Sequence, residues 1–197
     1  MTRLALLEHP RVFGFTQTLN PMTVRLYRRL VREHVRVDRG ESVLDIGCGV
    51  GAHRPLFTAA ARYVGIDINP AYVEAARAAH GDMFRVMDAG ALEFADATFD
   101  AVFTVATCHH LDDERVVAMV GDALRVLKPG GALHVIDPVW PVSGRAMIKR
   151  ALFSLDRGRF QRTVGQLTTL LAKQGRVSFV DLRSGVLHDV YYARLRA

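Results

Sequence analysis

Val43-Leu44-Asp45-Ile46-Gly47-Cys48-Gly49-Val50-Gly51 carries an apolar, strand-like run into a turn holding three glycines. A helical pattern resumes near Ala52. A strand that ends in glycines and restarts as a helix lets a ligand approach the backbone closely and offers it N–H groups. One acid, Asp45, stands two residues ahead of the first glycine. The stretch reads as the first strand and ligand loop of an α/β unit.

Downstream, strands and helices alternate around this loop. Ser42–Ile46 is the first strand and Ala52–Ala61 the first crossover helix. A second strand, Tyr63–Ile68, stops at Asn69-Pro70, and an alanine-rich helix follows over Ala71–His80. Met83–Met87 is a short third strand ending in Asp88. Phe99–Ala106 is almost wholly apolar, as a strand covered on both faces must be. Asp112–Leu127 is a helix with acids in its first turn and Lys128 past its end, which suits the helix dipole. Pro129-Gly130-Gly131 breaks it, and Ala132–Ile136 is the fifth strand, ending in Asp137.

Upstream, Asn20-Pro21 has the form of a helix start, with Asn20 as the cap. Val24, Tyr27, Leu30, Val31 and Val35 share one helical face, and Arg25, Arg28, Arg29, Arg32 and Arg36 the other. Such a helix can pack on its own domain or lie on lipid, and packing is the preferred reading. Asp38-Arg39-Gly40 is expected to end it. Beyond the fifth strand, Pro138–Gly158 reads as a connection with a short helix near Ala146–Leu155, then a helix over Phe160–Lys173. Two final strands, Arg176–Leu182 and Leu187–Leu195, are joined at Ser184-Gly185.

At 197 residues and 50% hydrophobic, the chain fits one globular α/β domain, 1–197. Its parts read as an N-terminal helical cap (1–40), a ligand-binding core (41–137), variable substrate-side helices (138–176) and a C-terminal β-hairpin (177–197). No apolar run reaches the roughly 18–20 residues of a membrane span, and the first residues lack a secretory pattern. Cys48 and Cys108 are expected as free thiols in a reducing compartment, so a cytoplasmic location is expected. Net charge is +6, unevenly spread: residues 41–142 hold 14 acids against 7 bases, whereas 1–40 and 143–176 are strongly basic. That pattern suits an anionic substrate, peripheral contact with an acidic membrane surface, or solvated helix faces alone.

Asp45, Asp67, Asp88 and Asp137 lie at or near the carboxyl ends of strands, where open α/β sheets bind ligands. Gly47-x-Gly49-x-x-Ala52 also fits the dinucleotide fingerprint, with Asp67 placed for a ribose. Asp45 decides between the ligands. A carboxylate beside this turn repels a pyrophosphate and attracts an ammonium or sulfonium ion. S-adenosylmethionine carries both cations and no phosphate.

The order and spacing of these motifs resemble the class I (Rossmann-like) S-adenosylmethionine-dependent methyltransferases over about residues 41–137. The resemblance implies a doubly wound, seven-stranded, mostly parallel sheet with its last strand antiparallel. It also implies that Gly47, Cys48, Gly49 and Gly51 underlie the methionine part of the cofactor, with Asp45 meeting the ammonium group. Asp67 would hold the ribose hydroxyls, Ile68 would pack on adenine, and Asp88-Ala89 would read the adenine edge. Phe99-Asp100-Ala101-Val102 and Leu124–Gly131 are similar to the family's later motifs.

Methyl transfer from a sulfonium is an in-line displacement, so alignment supplies much of the catalysis. The resemblance further implies that the segment Thr107-Cys108-His109-His110-Leu111 after the fourth strand lines the methyl-donor pocket, with Thr107 toward the cofactor. His110 or His109 is a candidate base, against the plainer reading of histidines bonded to backbone. Asp137 either orients an acceptor or caps a loop. Adjacent histidines lack the spacing of metal ligands on a helix, so no metal is expected. Arginines without interleaved aromatics argue against nucleic acid. The expected acceptor is a small or amphiphilic, lipid-like or anionic molecule, and the resemblance implies that 1–40 and 138–176 cover the side from which it is reached. A nicotinamide-dependent oxidoreductase and a non-catalytic S-adenosylmethionine-binding protein are the competing readings.

Overall fold

A computed structural model describes residues 21–60, 62–141, 158–185 and 188–196. In chain order the elements are α1 (Pro21–His34), β1 (Ser42–Ile46), β2 (Arg62–Asp67), α2 (Pro70–His80), β3 (Phe84–Val86), β4 (Phe99–Val105), α3 (Asp113–Arg125), β5 (Leu127–Val139), α4 (Val164–Leu171), β6 (Arg176–Ser184) and β7 (Asp189–Arg196). Seven strands form one sheet in the order β3-β2-β1-β4-β5-β7-β6. The pairings β1–β2, β1–β4, β2–β3 and β4–β5 are parallel. β7 runs antiparallel to both β5 and β6. This is the expected doubly wound sheet with its last strand reversed.

Alternating side chains divide the core into two layers. Leu44, Ile46, Val102 and Leu133 face one side, where Val116, Met119 and Val120 of α3 and Leu167, Leu170 and Leu171 of α4 cover them. Val43, Phe103 and Ile136 face the other, covered by Leu30 and Val31 of α1, Val73 and Ala76 of α2, and Phe57. β1 is buried along its whole length, so Val43, Leu44 and Ile46 are covered on both faces and Ser42 and Asp45 are enclosed with them. The apolar face of α1 therefore packs on its own domain, and Arg25, Arg29, Arg32 and Arg36 remain on the exposed side.

Local signals explain the helix starts. Asn69 caps α2 by accepting from Ala71 N, with Pro70 in the first turn. Asp112 caps α3 by accepting from Arg115 N. Thr163 and Gln166 form a reciprocal capping box at α4.

Several expectations need correction. Ala52–Ala61 is not an α-helix; a single 3₁₀ turn, Arg54–Leu56, replaces it. Pro55 has no N–H to donate and restrains Arg54 before it, so the alanines around it cannot propagate a helix. α1 stops at His34 rather than at Asp38-Arg39-Gly40. α4 is shorter than Phe160–Lys173, beginning only at its threonine cap. β5 begins at Leu127, so Pro129-Gly130-Gly131 lies within it, where the β4–β5 register shifts between Phe99 and Ala101. The Asn20 cap and the Ala146–Leu155 helix lie outside the described residues. Among those described, no helix is long and apolar enough to cross a membrane.

Candidate active site

Strand order reverses between β1 and β4, so the loops leaving these neighbours open a crevice at the carboxyl edge of the sheet. The two loops touch. Gly47 has φ +72°, and a Cβ there would lie 2.3 Å from Thr107 Oγ1. Glycine is needed both for that backbone angle and for the close approach of the β4 loop.

The glycine loop spends its donors inside the protein. Gly47 N and Cys48 N both donate to Ile66 O, at 2.8 and 2.9 Å. Gly49 N donates to Asp67 Oδ2 at 2.9 Å, and Gly51 N to Cys48 O at 3.0 Å. With no α-helix starting at this loop, the N–H cradle that a pyrophosphate requires is missing here. The Cys48 side chain points into the core, and burial pushes its thiol far above the ordinary range. Only its backbone is available to a ligand.

Carboxylates occupy the same place. Asp45 is 1% exposed; Tyr63 Oη donates to its Oδ2 at 2.6 Å, and its Oδ1 has no hydrogen-bond partner. Burial raises its pKa to about 7, opposed by the Tyr63 hydrogen bond and assisted by the charge of Asp67. His53 Nδ1 lies 3.9 Å from Asp45 Oδ2. Burial lowers the pKa of His53 to about 4, so this histidine is neutral and offers Asp45 no counter-charge. Asp67 accepts from Gly49 N and, through Oδ1, from Asn69 N at 2.9 Å; its pKa is also raised by burial. Next to it Ile68 is 63% exposed, an unusual position for a large apolar side chain. Asp88 is exposed, with Gly90 N donating to its Oδ1 at 2.8 Å, while Ala89 packs on the α3 side of the core. The residues expected at the cofactor thus lie along one edge, from β1 through β2 to the end of β3.

The β4 loop is pinned from below. Ala106 takes a left-handed φ of +54°, uncommon for a residue with a side chain, and a 3₁₀ turn follows over Cys108–His110. Buried Asp137 accepts from Thr107 N (2.9 Å) and Cys108 N (2.7 Å) through Oδ2. Its Oδ1 contacts His109 N at 3.1 Å and His109 Nδ1 at 3.0 Å. A carboxylate so engaged orders a loop. From the other end, the Arg162 guanidinium donates to Cys108 O and Leu111 O, both at 2.8 Å, and to Asp113. His109 is buried, and a Cβ on Gly158 would stand 2.1 Å from its Cδ2. His110 is exposed, its ring 4.0 Å from that of His109.

Tyr63, His53 and Arg162 carry no motif signal. Arg162 is one of eight bases in the 143–176 segment, and only the fold brings it to the loop. No group of three or more metal-ligating side chains exists among the described residues.

Residues 44–135 match the methyltransferase domain family. A 2-methyl-6-phytyl-1,4-hydroquinone methyltransferase from Synechocystis is 39% identical over 104 residues, covering 50% of this chain and 32% of that protein. The 27-O-demethylrifamycin SV methyltransferase of Amycolatopsis mediterranei is 37% identical over 129 residues, covering 61% of this chain and 46% of that one. The matched segment thus spans half or less of those relatives' own lengths. Among solved structures, a Pyrococcus horikoshii protein superposes with a TM-score of 0.71 over 88% of this chain and 89% of its own, at 19% identity. The strand order agrees with that match, and residues 44–135 are similar to the methyltransferase domain family.

Proposed function

We propose that the chain transfers a methyl group from S-adenosylmethionine to a small, apolar or amphiphilic acceptor. The observation that carries the reading is the unpartnered, buried oxygen of Asp45 beside a glycine loop whose N–H groups are already spent. Such a site favours a cation over a phosphate. When bound, the cofactor supplies an electrophilic methyl group for in-line displacement. Asp45 would hold its ammonium end, Asp67 the ribose hydroxyls, exposed Ile68 one face of adenine, and Asp88-Ala89 the adenine edge. Gly47, Cys48, Gly49, Gly51 and Thr107 would line the methionine end through backbone and small side chains.

On the acceptor side, Asp137 and Arg162 act as positioning residues that hold the turn bearing the two histidines. His109 is bound to Asp137 and shielded, so His110, which is exposed, is the better candidate for taking a proton from an acceptor. Relatives named for a phytyl hydroquinone and a rifamycin support a small-molecule acceptor with a large apolar part. The exposed arginine stripe of α1 fits an acidic membrane surface as the place where such an acceptor is met.

Calorimetric titration tests the reading. S-adenosylhomocysteine should give saturable heat and NADH none. A panel of hydroquinones and phenols, incubated with S-adenosylmethionine, should then identify an acceptor by formation of S-adenosylhomocysteine. Saturable binding of NADH with no response to the nucleoside would transfer the chain to the oxidoreductase reading. Binding without turnover on any acceptor would leave a non-catalytic receptor.

A further inference from the structure

β6 closes one end of the sheet and presents an open edge. Its Phe179, Val180 and Leu182 are 44%, 40% and 37% exposed, so large apolar side chains of the described residues gather on this one strand. The pairing with β7 fixes where they point. Phe179, Asp181 and Arg183 stand on the face covered by α1, where the rings of Phe179 and Tyr192 lie 5.8 Å apart and Asp181 is 3.8 Å from His34 Nε2. Val180 and Leu182 alternate onto the opposite face. Arg183 Nε donates to Asp181 Oδ2 at 2.7 Å, and the N–H of Leu182 donates to Asp181 Oδ1 at 2.8 Å, a local stand-in for a strand partner.

Proteins usually blunt such an edge with lysine, proline or a bulge. β6 holds no lysine or proline, and its register shift falls between Val177 and Phe179, which leaves Phe179–Ser184 regular. Its two central charges are opposite in sign. We infer that β6 pairs antiparallel with β6 of a second copy about a two-fold axis at Leu182, joining two seven-stranded sheets into one. Opposed side chains of an antiparallel pair share a face, so the axis passes through a residue rather than between two. An axis at Asp181 sets two aspartates against each other, and one at Val180 sets each Asp181 against a phenyl ring. At Leu182 the pattern closes on itself. Each Asp181 faces Arg183 of the other copy, the two Leu182 side chains meet, and Val180 lies opposite Ser184. Cross-strand pairs of opposite charge and apolar pairs stabilise an antiparallel sheet, whereas like charges placed opposite weaken it. The contact is self-complementary, as a two-fold dimer requires. Its axis is perpendicular to the sheet, so both α1 helices lie on the same side.

Sedimentation velocity of the full chain tests the dimer. At roughly 100 µM, above the micromolar affinity that a small interface can give, the wild type should sediment as a dimer and dissociate on dilution. Asp181→Arg and Arg183→Asp each place like charges opposite one another and should each weaken association at least about tenfold. An equimolar mixture of these two variants should dimerise again, because the arginines of one copy then face the aspartates of the other. Leu182→Lys leaves the charged pairs in place but sets two ammonium groups together, and it should be monomeric. Thermal unfolding of each variant shows that it is folded. A wild type that stays monomeric overturns the inference, as does a dimer that survives Leu182→Lys. Folded single variants whose mixture stays monomeric overturn the register at Leu182.

Discussion

Tyr63 donates a 2.6 Å hydrogen bond to one oxygen of Asp45, and the other oxygen of that carboxylate, equally enclosed, has nothing to accept. Tyr63 favours the ionised acid, yet burial outweighs it and the pKa stands at about 7. Because the folded pKa is raised above the ordinary value of 3.8, protonation of Asp45 stabilises the ligand-free protein. That contribution is fully present below the unfolded pKa and is lost as pH rises through about 7. Ligand binding runs the other way, since an ammonium group prefers the ionised carboxylate. Affinity for S-adenosylhomocysteine should therefore fall as pH drops from 8 to 6. Asp45→Asn should bind weakly, without that slope, and should unfold no lower than the wild type at pH 8. Calorimetry and thermal unfolding across this range check both halves.

Asp67 combines a structural and a binding task. It holds the glycine loop through Gly49 N and its own turn through Asn69 N. Asp67→Ala should cost about 1–3 kcal/mol of stability from the donors left behind. It should also abolish the rise in melting temperature that S-adenosylhomocysteine gives the wild type. A retained ligand shift at a lowered melting temperature would confine Asp67 to the structural role.

The two adjacent histidines should separate cleanly. Asp137→Ala strips acceptors from three backbone N–H groups and from His109, a loss of about 3 kcal/mol or more, or roughly 6–12 °C in melting temperature for a domain of this size. His109→Ala removes a buried side chain and should also destabilise. His110→Ala, at an exposed position, should stay within about 0.5 kcal/mol of the wild type and bind S-adenosylhomocysteine normally. With an acceptor in hand, it should lower turnover by roughly 10²–10⁴-fold, the range of a general base. Unchanged turnover in His110→Ala would assign catalysis to alignment alone.

The sequence made the sheet legible because its central strands are buried on both faces and so are mostly apolar: Phe99–Val105 is the clearest, and Val43, Leu44 and Ile46 mark β1. The strand-end acids stood out as charges in or just after strands: Asp67 closes β2, Asp45 and Asp137 lie near the ends of β1 and β5, and Asp88 follows β3. The first crossover misread because alanines on both sides of Pro55 advertise a helix that the proline prevents. Tyr63, His53 and Arg162 were illegible for a different reason. Each matters through a partner brought from a distant part of the chain, as when Arg162 reaches the carbonyl of Cys108. Nothing in local spacing separates Arg28 from the four arginines that share its helical face in sequence, although the fold half-buries it and leaves Arg25, Arg29, Arg32 and Arg36 outside.

Those exposed arginines yield the last prediction. Met22, Arg25, Arg29, Arg32 and Arg36 recur at three- and four-residue intervals along one side of α1 and its extension, and all are exposed. Arg29 is engaged by Glu33 at 2.6 Å, which leaves Arg25, Arg32 and Arg36 as the stronger source of positive field. An acidic leaflet attracts such a stripe within a Debye length, about 10 Å at 0.1 M salt. Vesicles containing phosphatidylserine should therefore sediment the protein, neutral phosphatidylcholine vesicles should not, and raising salt toward 0.5 M should release it. The triple variant Arg25→Gln, Arg32→Gln, Arg36→Gln should weaken sedimentation at least about tenfold while leaving S-adenosylhomocysteine affinity intact, since none of the three lies on the buried face of the helix. Equal sedimentation of the variant and the wild type would remove α1 from the membrane contact. Equal recovery on both kinds of vesicle would remove the acidic surface itself, and the acceptor would then have to arrive through water.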